Sequence, residues 1–283
     1  MDRDDSGQAP ERDRAKRAPE TSPLLLSTFE RYVRGYVAQH FHAFRLAKAQ
    51  RPDPVAIRGK PLIVYFNHPS WWDPLTCLRL AEQFFPGRRH YAPMEAGALR
   101  KYPFFERLGF FGVEPGSPGG ARRFLTISRQ VLSQPDSALW IAAEGQLTDP
   151  RVRPLRLRSG IGHLAARVRQ AVLLPLALEY PFWEERTPEA LARFGEEIAA
   201  GEAGLTATDW TTVLETRLQT ALDALAADAL ARDPARFDVL LDGAAGVGGV
   251  YDAWRRLKAR LRGDPFRPEH GGEALPEVPR RKP

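Results

Sequence analysis

Three short apolar runs, separated by segments with helical spacing, constrain the fold of this chain more than any other feature. They lie at Pro61–Phe66, Ala138–Ala142 and Val172–Tyr180, and each has the length of one buried strand. Shorter segments at His90–Pro93 and Phe110–Val113 fit the same pattern. Because strands that alternate with helices typically form a sheet covered on both faces, we predict an α/β fold.

The periodicity of apolar residues predicts the helices around these strands. We expect helices over 24–48, 72–85, 122–132 and 161–168, followed by a helical C-terminal extension over about 188–199, 208–231 and 249–261. The two ends, residues 1–22 and 263–283, are rich in charge and proline and lack apolar periodicity, which indicates disordered tails. We therefore divide the chain into these two tails, an amphipathic helix over 23–50 and one folded domain over 51–262.

Charge and cysteine content limit the possible partners. The net charge of +6 favours anionic partners, such as phosphate-bearing substrates or an anionic lipid surface. The single cysteine, Cys77, excludes a disulfide framework and fits a reducing compartment such as the cytoplasm. The histidines show no metal-binding spacing, so we predict no metal and no bound cofactor. No apolar run reaches the roughly 20 residues that would span a bilayer, so we expect membrane contact to be peripheral.

The segment that follows the first apolar run carries the clearest chemical signal. It reads Asn67-His68-Pro69-Ser70-Trp71-Trp72-Asp73-Pro74. Functional groups gather at the carboxyl ends of strands in α/β sheets, and Pro69 favours a turn that brings the carboxylate back to the imidazole. Such a pair could act as a general base and its orienting partner, or it could merely cap the end of the strand. No Gly-x-Ser-x-Gly nucleophile is present, which favours direct transfer over a covalent intermediate.

This segment resembles the Asn-His-x-Ser-x-x-Asp signature of the glycerolipid acyltransferase superfamily, which includes 1-acylglycerol-3-phosphate acyltransferases. Three later segments resemble further blocks of that family in the same order: Leu108–Glu114, Ala142–Leu147 and Val172–Leu178. The resemblance implies a glycerol-3-phosphate acyltransferase-like sheet with helices on both faces. It also implies His68 as general base, Asp73 as its partner, and Glu144 and Gly145 in the third block.

The blocks depart from the family where it carries arginines for the acceptor phosphate. Those positions hold Glu114-Pro115 and Leu147 here. Four nearby arginines are candidates to bind phosphate or the acyl carrier instead: Arg122, Arg123, Arg151 and Arg153. A displaced guanidinium rarely restores the same geometry, so we expect an acceptor without a phosphomonoester. The alternative, a solvated basic loop, remains open.

The helix predicted over 24–48 places Arg31, Arg34, Arg45 and Lys48 opposite its apolar stripe. This pattern suits either a helix in the membrane interface or an ordinary helix docked on the core. An aromatic stretch over 102–111 could line an acyl groove or belong to the core. We expect a protein bound to the inner face of the cell membrane.

Together these features predict transfer of a fatty acyl group from acyl-CoA or acyl-carrier protein to the hydroxyl of a lyso-lipid or lipid-like alcohol. Two alternatives remain at this point. One is a thioester hydrolase that uses the same residue pair on water. The other is a non-catalytic basic module that binds lipid or nucleic acid, although the arginines do not form the regular strip that a nucleic acid would need.

Overall fold

A mixed sheet of nine strands organises the residues that the computed structural model describes, 17–201 and 204–243. In chain order the strands are β1 (Ala43–Ala47), β2 (Leu62–Phe66), β3 (Arg89–Glu95), β4 (Phe110–Val113), β5 (Ser137–Ala142), β6 (Val172–Glu179), β7 (Glu189–Phe194), β8 (Ile198–Ala199) and β9 (Phe237–Asp242). Their order across the sheet is β4-β3-β5-β2-β6-β7-β1-β9, and β8 pairs with β6.

Seven α-helices connect these strands within the described ranges. They are α1 (Pro23–His40), α2 (Pro54–Ile57), α3 (Asp73–Phe84), α4 (Ala96–Lys101), α5 (Pro118–Val131), α6 (Ser159–Ala165) and α7 (Ala207–Ala231), with short 3₁₀ helices at Pro103–Leu108 and Pro234–Arg236. No helix in these two ranges is long and apolar enough to cross a bilayer.

The half of the sheet that contains the predicted strands is parallel. Strand β2 pairs in parallel with both β5 and β6, so that Phe66 lies level with Ala142 and Leu176. Strand β7 runs antiparallel to β6, and β1 continues the sheet beyond it. Because the carboxyl ends of β2, β5 and β6 meet at one edge, the loops that follow them are brought together there.

Alternation along β2 divides the core into two layers. Leu62, Val64 and Phe66 face α1 and α3, whereas Ile63 and Tyr65 face α5, α6 and α7. Burying a large apolar side chain stabilises a fold by about 1.5–3 kcal/mol relative to exposure, so both helical layers are needed to cover this sheet. The predicted α/β fold with helices on both faces is confirmed.

Two predicted helices need correction: one is confirmed only over its first part, and the other consists of strands. The helix predicted over 24–48 ends at His40, and Ala43–Ala47 form the buried strand β1. Arg45 therefore does not lie on an exposed helix face; its Nε donates to Glu189 at 2.8 Å. The helix predicted over 188–199 is replaced by β7 and β8, because these residues complete the sheet beside β6. In both segments tertiary pairing overrides local helical spacing.

The predicted termini are only partly described. Residues 17–22 of the predicted N-terminal tail contact the folded core: the Ala18 amide donates to Gln130, and the Ser22 amide donates to the carbonyl of Arg107. Ser22 also caps α1. The helix predicted over 208–231 is confirmed as α7. The helix predicted over 249–261 and the tail over 263–283 lie outside the described residues.

Candidate active site

The loop from Asn67 to Asp73 connects the carboxyl end of β2 to the first turn of α3. Asn67 anchors its start: the side-chain amide donates to the carbonyl of Leu178 at 2.9 Å, and its oxygen accepts from the Leu178 amide at 2.8 Å. At the other end, Pro74 occupies the first turn of α3, where a missing amide proton costs nothing. The loop is therefore fixed to β6 on one side and to α3 on the other.

His68 and Asp73 form a direct pair at this edge of the sheet. Nδ1 of His68 lies 2.6 Å from Oδ2 of Asp73. The Asp73 side chain is fully buried, whereas that of His68 is 24% exposed. The Ser70 amide also donates to Oδ2, and Asp73 lies in the first turn of α3, where the helix dipole favours negative charge. The arrangement gives a buried carboxylate that orients a partly accessible imidazole.

Tyr180 satisfies the second oxygen of this carboxylate. Its hydroxyl donates to Oδ1 of Asp73 at 2.8 Å and lies 3.1 Å from Oγ1 of Thr76. An ionised carboxylate only accepts hydrogen bonds, so Nδ1 of His68 must carry the proton that faces it. Nε2 of His68 is then left with a lone pair.

Burial and hydrogen bonding act in opposite directions on Asp73. Burial raises the pKa of its carboxyl above the ordinary value, whereas the hydrogen bonds from His68 and Tyr180 lower it. The pKa of Tyr180 is raised well above its ordinary value by burial and by the charge of Asp73. Burial likewise raises the pKa of the nearby Cys77 thiol. Tyr180 therefore remains a donor, and Cys77 adds no charge.

Glu144 supports His68 from β5. Its Oε2 accepts the backbone N–H of His68 at 2.8 Å, and the carbonyl of His68 accepts the Thr148 amide at 2.9 Å. Burial raises the pKa of Glu144, and the amide of His68 acts in the opposite direction. Gly145 takes a left-handed conformation with φ of +68°, and a Cβ there would lie 2.8 Å from the side chain of Arg158. Glu144 thus holds the loop that carries His68, and Gly145 allows the close approach of Arg158.

The loop that carries Arg151 and Arg153 lies near the same edge of the sheet. Their positive charges lower the pKa of Glu179, the last residue of β6, although burial raises that pKa more. Both guanidinium groups already have carboxylate partners. Arg151 pairs with Asp149 at 2.6 Å, and Arg153 pairs with Asp223 at 2.7 Å.

Arg122 and Arg123 lie farther along the sheet, on α5, which follows the edge strand β4. Strands β3 and β5 lie between β4 and β2 in the sheet. Nε of Arg123 donates to the carbonyl of Gly112 at 2.5 Å, and burial lowers the pKa of this guanidinium. Arg122 is exposed. The structure therefore brings His68, Asp73, Glu144 and Gly145 together. It places Arg151 and Arg153 near the same edge of the sheet, and Arg122 and Arg123 farther away.

Sequence reasoning missed Tyr180 and Thr76. The position of Tyr180 at the end of an apolar run could have indicated its role. That run was predicted to be a strand, and the end of a strand parallel to β2 would lie beside His68.

In residues 17–201 and 204–243 no group of three or more His, Cys, Asp or Glu side chains could hold a metal ion.

Comparisons with known proteins show which family and which fold this chain resembles. The model of the Acyltransferase family matches residues 46–179. No curated protein matches the chain by sequence. Among solved structures, the chain is similar in fold to the 1-acyl-sn-glycerophosphate (LPA) acyltransferase PlsC from Thermotoga maritima. The TM-score is 0.51 at 15% sequence identity, over 71% of this chain and 80% of that one.

Proposed function

We propose that the protein, whose residues 46–179 match the model of the Acyltransferase family, transfers a fatty acyl group from a thioester donor to the hydroxyl of a lyso-lipid or lipid-like alcohol. The donor is acyl-CoA or acyl-carrier protein. One observation carries the proposal: the contact of 2.6 Å between His68 and Asp73, which leaves Nε2 of a partly accessible imidazole free to accept a proton.

The proposed reaction uses this pair directly. Nε2 of His68 accepts the proton of the acceptor hydroxyl while the hydroxyl oxygen attacks the thioester carbonyl. Asp73 stabilises the imidazolium that forms. When the carbon–sulfur bond breaks, the thiolate leaves and receives the proton. A thiol has a pKa of about 8.5, so it is a good leaving group without a strong acid.

The acceptor that we propose lacks a phosphomonoester. Such a group bears nearly two charges and needs several charge-assisted hydrogen bonds to leave water. Arg151 and Arg153 are already paired with Asp149 and Asp223, and Arg123 is bound to a backbone carbonyl. A phosphomonoester that bound Arg151, Arg153 or Arg123 would compete with these contacts. This favours a lyso-lipid with another head group.

We also propose that the protein binds a lipid surface peripherally through a row of aromatic side chains over α1. Ring contacts run from Phe104 through Phe29, Tyr32 and Tyr36 to the Trp71–Trp72 stack, which belongs to the His68 loop. Tyr32 is 60% exposed, Phe104 is 42% exposed and Trp71 is 57% exposed. Exposed aromatic rings of this kind suit the boundary between lipid and water. The row would guide a lipid acceptor toward His68.

The experiment that tests the function compares the purified wild type with His68→Ala on acyl-CoA and lyso-lipids, and follows both ester formation and free fatty acid. We expect ester formation by the wild type and its loss by at least about 10²-fold in the variant, the scale of general-base catalysis. Leu230→Ala, on the opposite helical layer, is the matched control and should keep full activity. Wild-type turnover in His68→Ala would refute the mechanism, and release of fatty acid without ester would indicate a hydrolase.

A further inference from the structure

Tyr180 connects the His68–Asp73 pair to strand β6. It follows β6 directly, and its ring packs against Phe41 with centroids 5.6 Å apart. Its hydroxyl is the partner of Oδ1 of Asp73, whereas His68 and the Ser70 amide contact Oδ2. The two oxygens of one buried carboxylate are thus held by different parts of the fold.

The hydrogen bonds in this chain of groups have one direction. The Tyr180 hydroxyl has a single proton, which it donates to the carboxylate, so its oxygen accepts from the hydroxyl of Thr76. Asp73 then has its second oxygen free for the proton on Nδ1 of His68. Without the Tyr180 donor, Oδ1 would be a buried charged oxygen without this partner, and the carboxylate could rotate away from His68.

We propose that Tyr180 is a positioning residue: it acts on acyl transfer through Asp73, by holding the carboxylate in the orientation that keeps Nε2 of His68 as the base. The inference deepens the proposed function and rests on it for its effect on turnover. Tyr180 touches neither the reacting hydroxyl nor the thioester in this scheme.

The other ionisable groups near the pair do not hold the carboxylate of Asp73 as Tyr180 does. Cys77 on α3 lies close to Asp73, but burial keeps it a neutral thiol. Glu144, which follows β5, contacts the backbone amide of His68 and not the side chain of Asp73. Within the described residues, the side chains that donate hydrogen bonds to Asp73 are those of His68 and Tyr180.

The test is Tyr180→Phe, which keeps the ring against Phe41 and removes one oxygen. We expect kcat to fall by about 10- to 100-fold, the effect of losing a hydrogen bond to a buried charge, with KM nearly unchanged. Because the Tyr180 hydrogen bond lowers the pKa of Asp73, its loss raises that pKa further. The acidic limb of the kcat/KM profile therefore moves to higher pH.

The matched control is Tyr65→Phe. Tyr65 is fully buried, and its hydroxyl lies 3.4 Å from the carbonyl of Leu214 in the other core layer. It should leave the pH profile of activity in place. Thr76→Val removes only the donor to Tyr180 and should cause a smaller loss with a smaller shift in the same direction, which keeps the inference testable if Tyr180→Phe does not fold.

A second measurement is independent of turnover: the NMR titration of the Asp73 carboxyl carbon in the full chain. Its titration should move to higher pH in Tyr180→Phe and stay in place in Tyr65→Phe. A loss of activity without this movement would give Tyr180 a merely structural role and overturn the inference. If the wild type transfers no acyl group, the proposed function fails, while the Asp73 titration still decides whether Tyr180 controls the carboxylate.

Discussion

Asp73→Asn separates a catalytic role of the pair from a structural one. The amide has nearly the same shape as the carboxylate, so its oxygen can accept from Tyr180 as Asp73 does. Its NH₂ group then faces Nδ1 of His68 across the 2.6 Å contact, and two donors cannot face each other. In that orientation His68 carries its proton on Nε2, which leaves no lone pair for the acceptor hydroxyl. In the flipped orientation the amide oxygen accepts from Nδ1 and the Ser70 amide, but the neutral amide cannot stabilise the imidazolium.

The expected loss follows from this change of tautomer and from the loss of the negative charge. We expect kcat/KM to fall on the order of 10³- to 10⁴-fold, equivalent to about 4–5.5 kcal/mol of transition-state stabilisation. The free energy of unfolding, in contrast, should rise or stay unchanged in the variant. Burial raises the pKa of Asp73 in the folded protein, so the folded state binds the proton more tightly than the unfolded state does. The ionised carboxylate therefore lowers the free energy of unfolding once the pH exceeds its unfolded pKa, and most strongly above its folded pKa.

An assay at pH 7 that combines steady-state kinetics with thermal unfolding checks both expectations. The variant should be nearly inactive with a Tm no lower than that of the wild type. Wild-type kcat/KM in a folded Asp73→Asn protein would refute the assignment of the pair. A large drop in Tm would mean instead that the carboxylate mainly holds the loop and α3 together.

The remaining predictions concern lipid binding and the acceptor. Flotation with liposomes should show binding that rises with anionic lipid and falls with salt, and the double substitution Tyr32→Ser and Phe104→Ser should weaken it by about tenfold, since two large rings leave the lipid. Leu230→Ser, at an 83% exposed position on α7, is the matched control, and an equal effect there would argue against the aromatic row. In competition between lysophosphatidate, glycerol-3-phosphate and zwitterionic lyso-lipids, we expect preference for an acceptor without a phosphomonoester. Preference for lysophosphatidate that is lost in Arg151→Ala or Arg153→Ala would contradict this.

The parallel half of the sheet and the pairing of His68 with Asp73 could be predicted because their signals are local. Strand β2 is one apolar run, Pro69 provides the turn, and Asp73 lies only five residues from His68. A strand end in an α/β sheet then fixes the position of the site without knowledge of the other strands.

The outer strands could not be predicted in this way. Nothing between Phe41 and Ala43 interrupts the helical spacing by a glycine or proline, so the end of α1 at His40 is invisible in the sequence. Arg45 in β1 is buried only because Glu189, 144 residues away, meets its guanidinium. Tyr180 is a similar case, because its partner depends on how β6 aligns with β2. Contacts between distant segments decide all of these positions.

The spacing of three neighbouring strands sets the dimensions of the site. His68, Glu144 and Tyr180 each follow the carboxyl end of a different strand, β2, β5 and β6, and these strands are adjacent in the sheet. Neighbouring strands lie about 4.8 Å apart, so the strand spacing sets the distances between the backbones of these three residues. Residues 151–153 are exposed and lie beyond the contact of the Thr148 amide with His68, so substitutions there should leave these separations unchanged. A substitution inside β2 that shifts its register would, in contrast, move His68 relative to both of its supports at once.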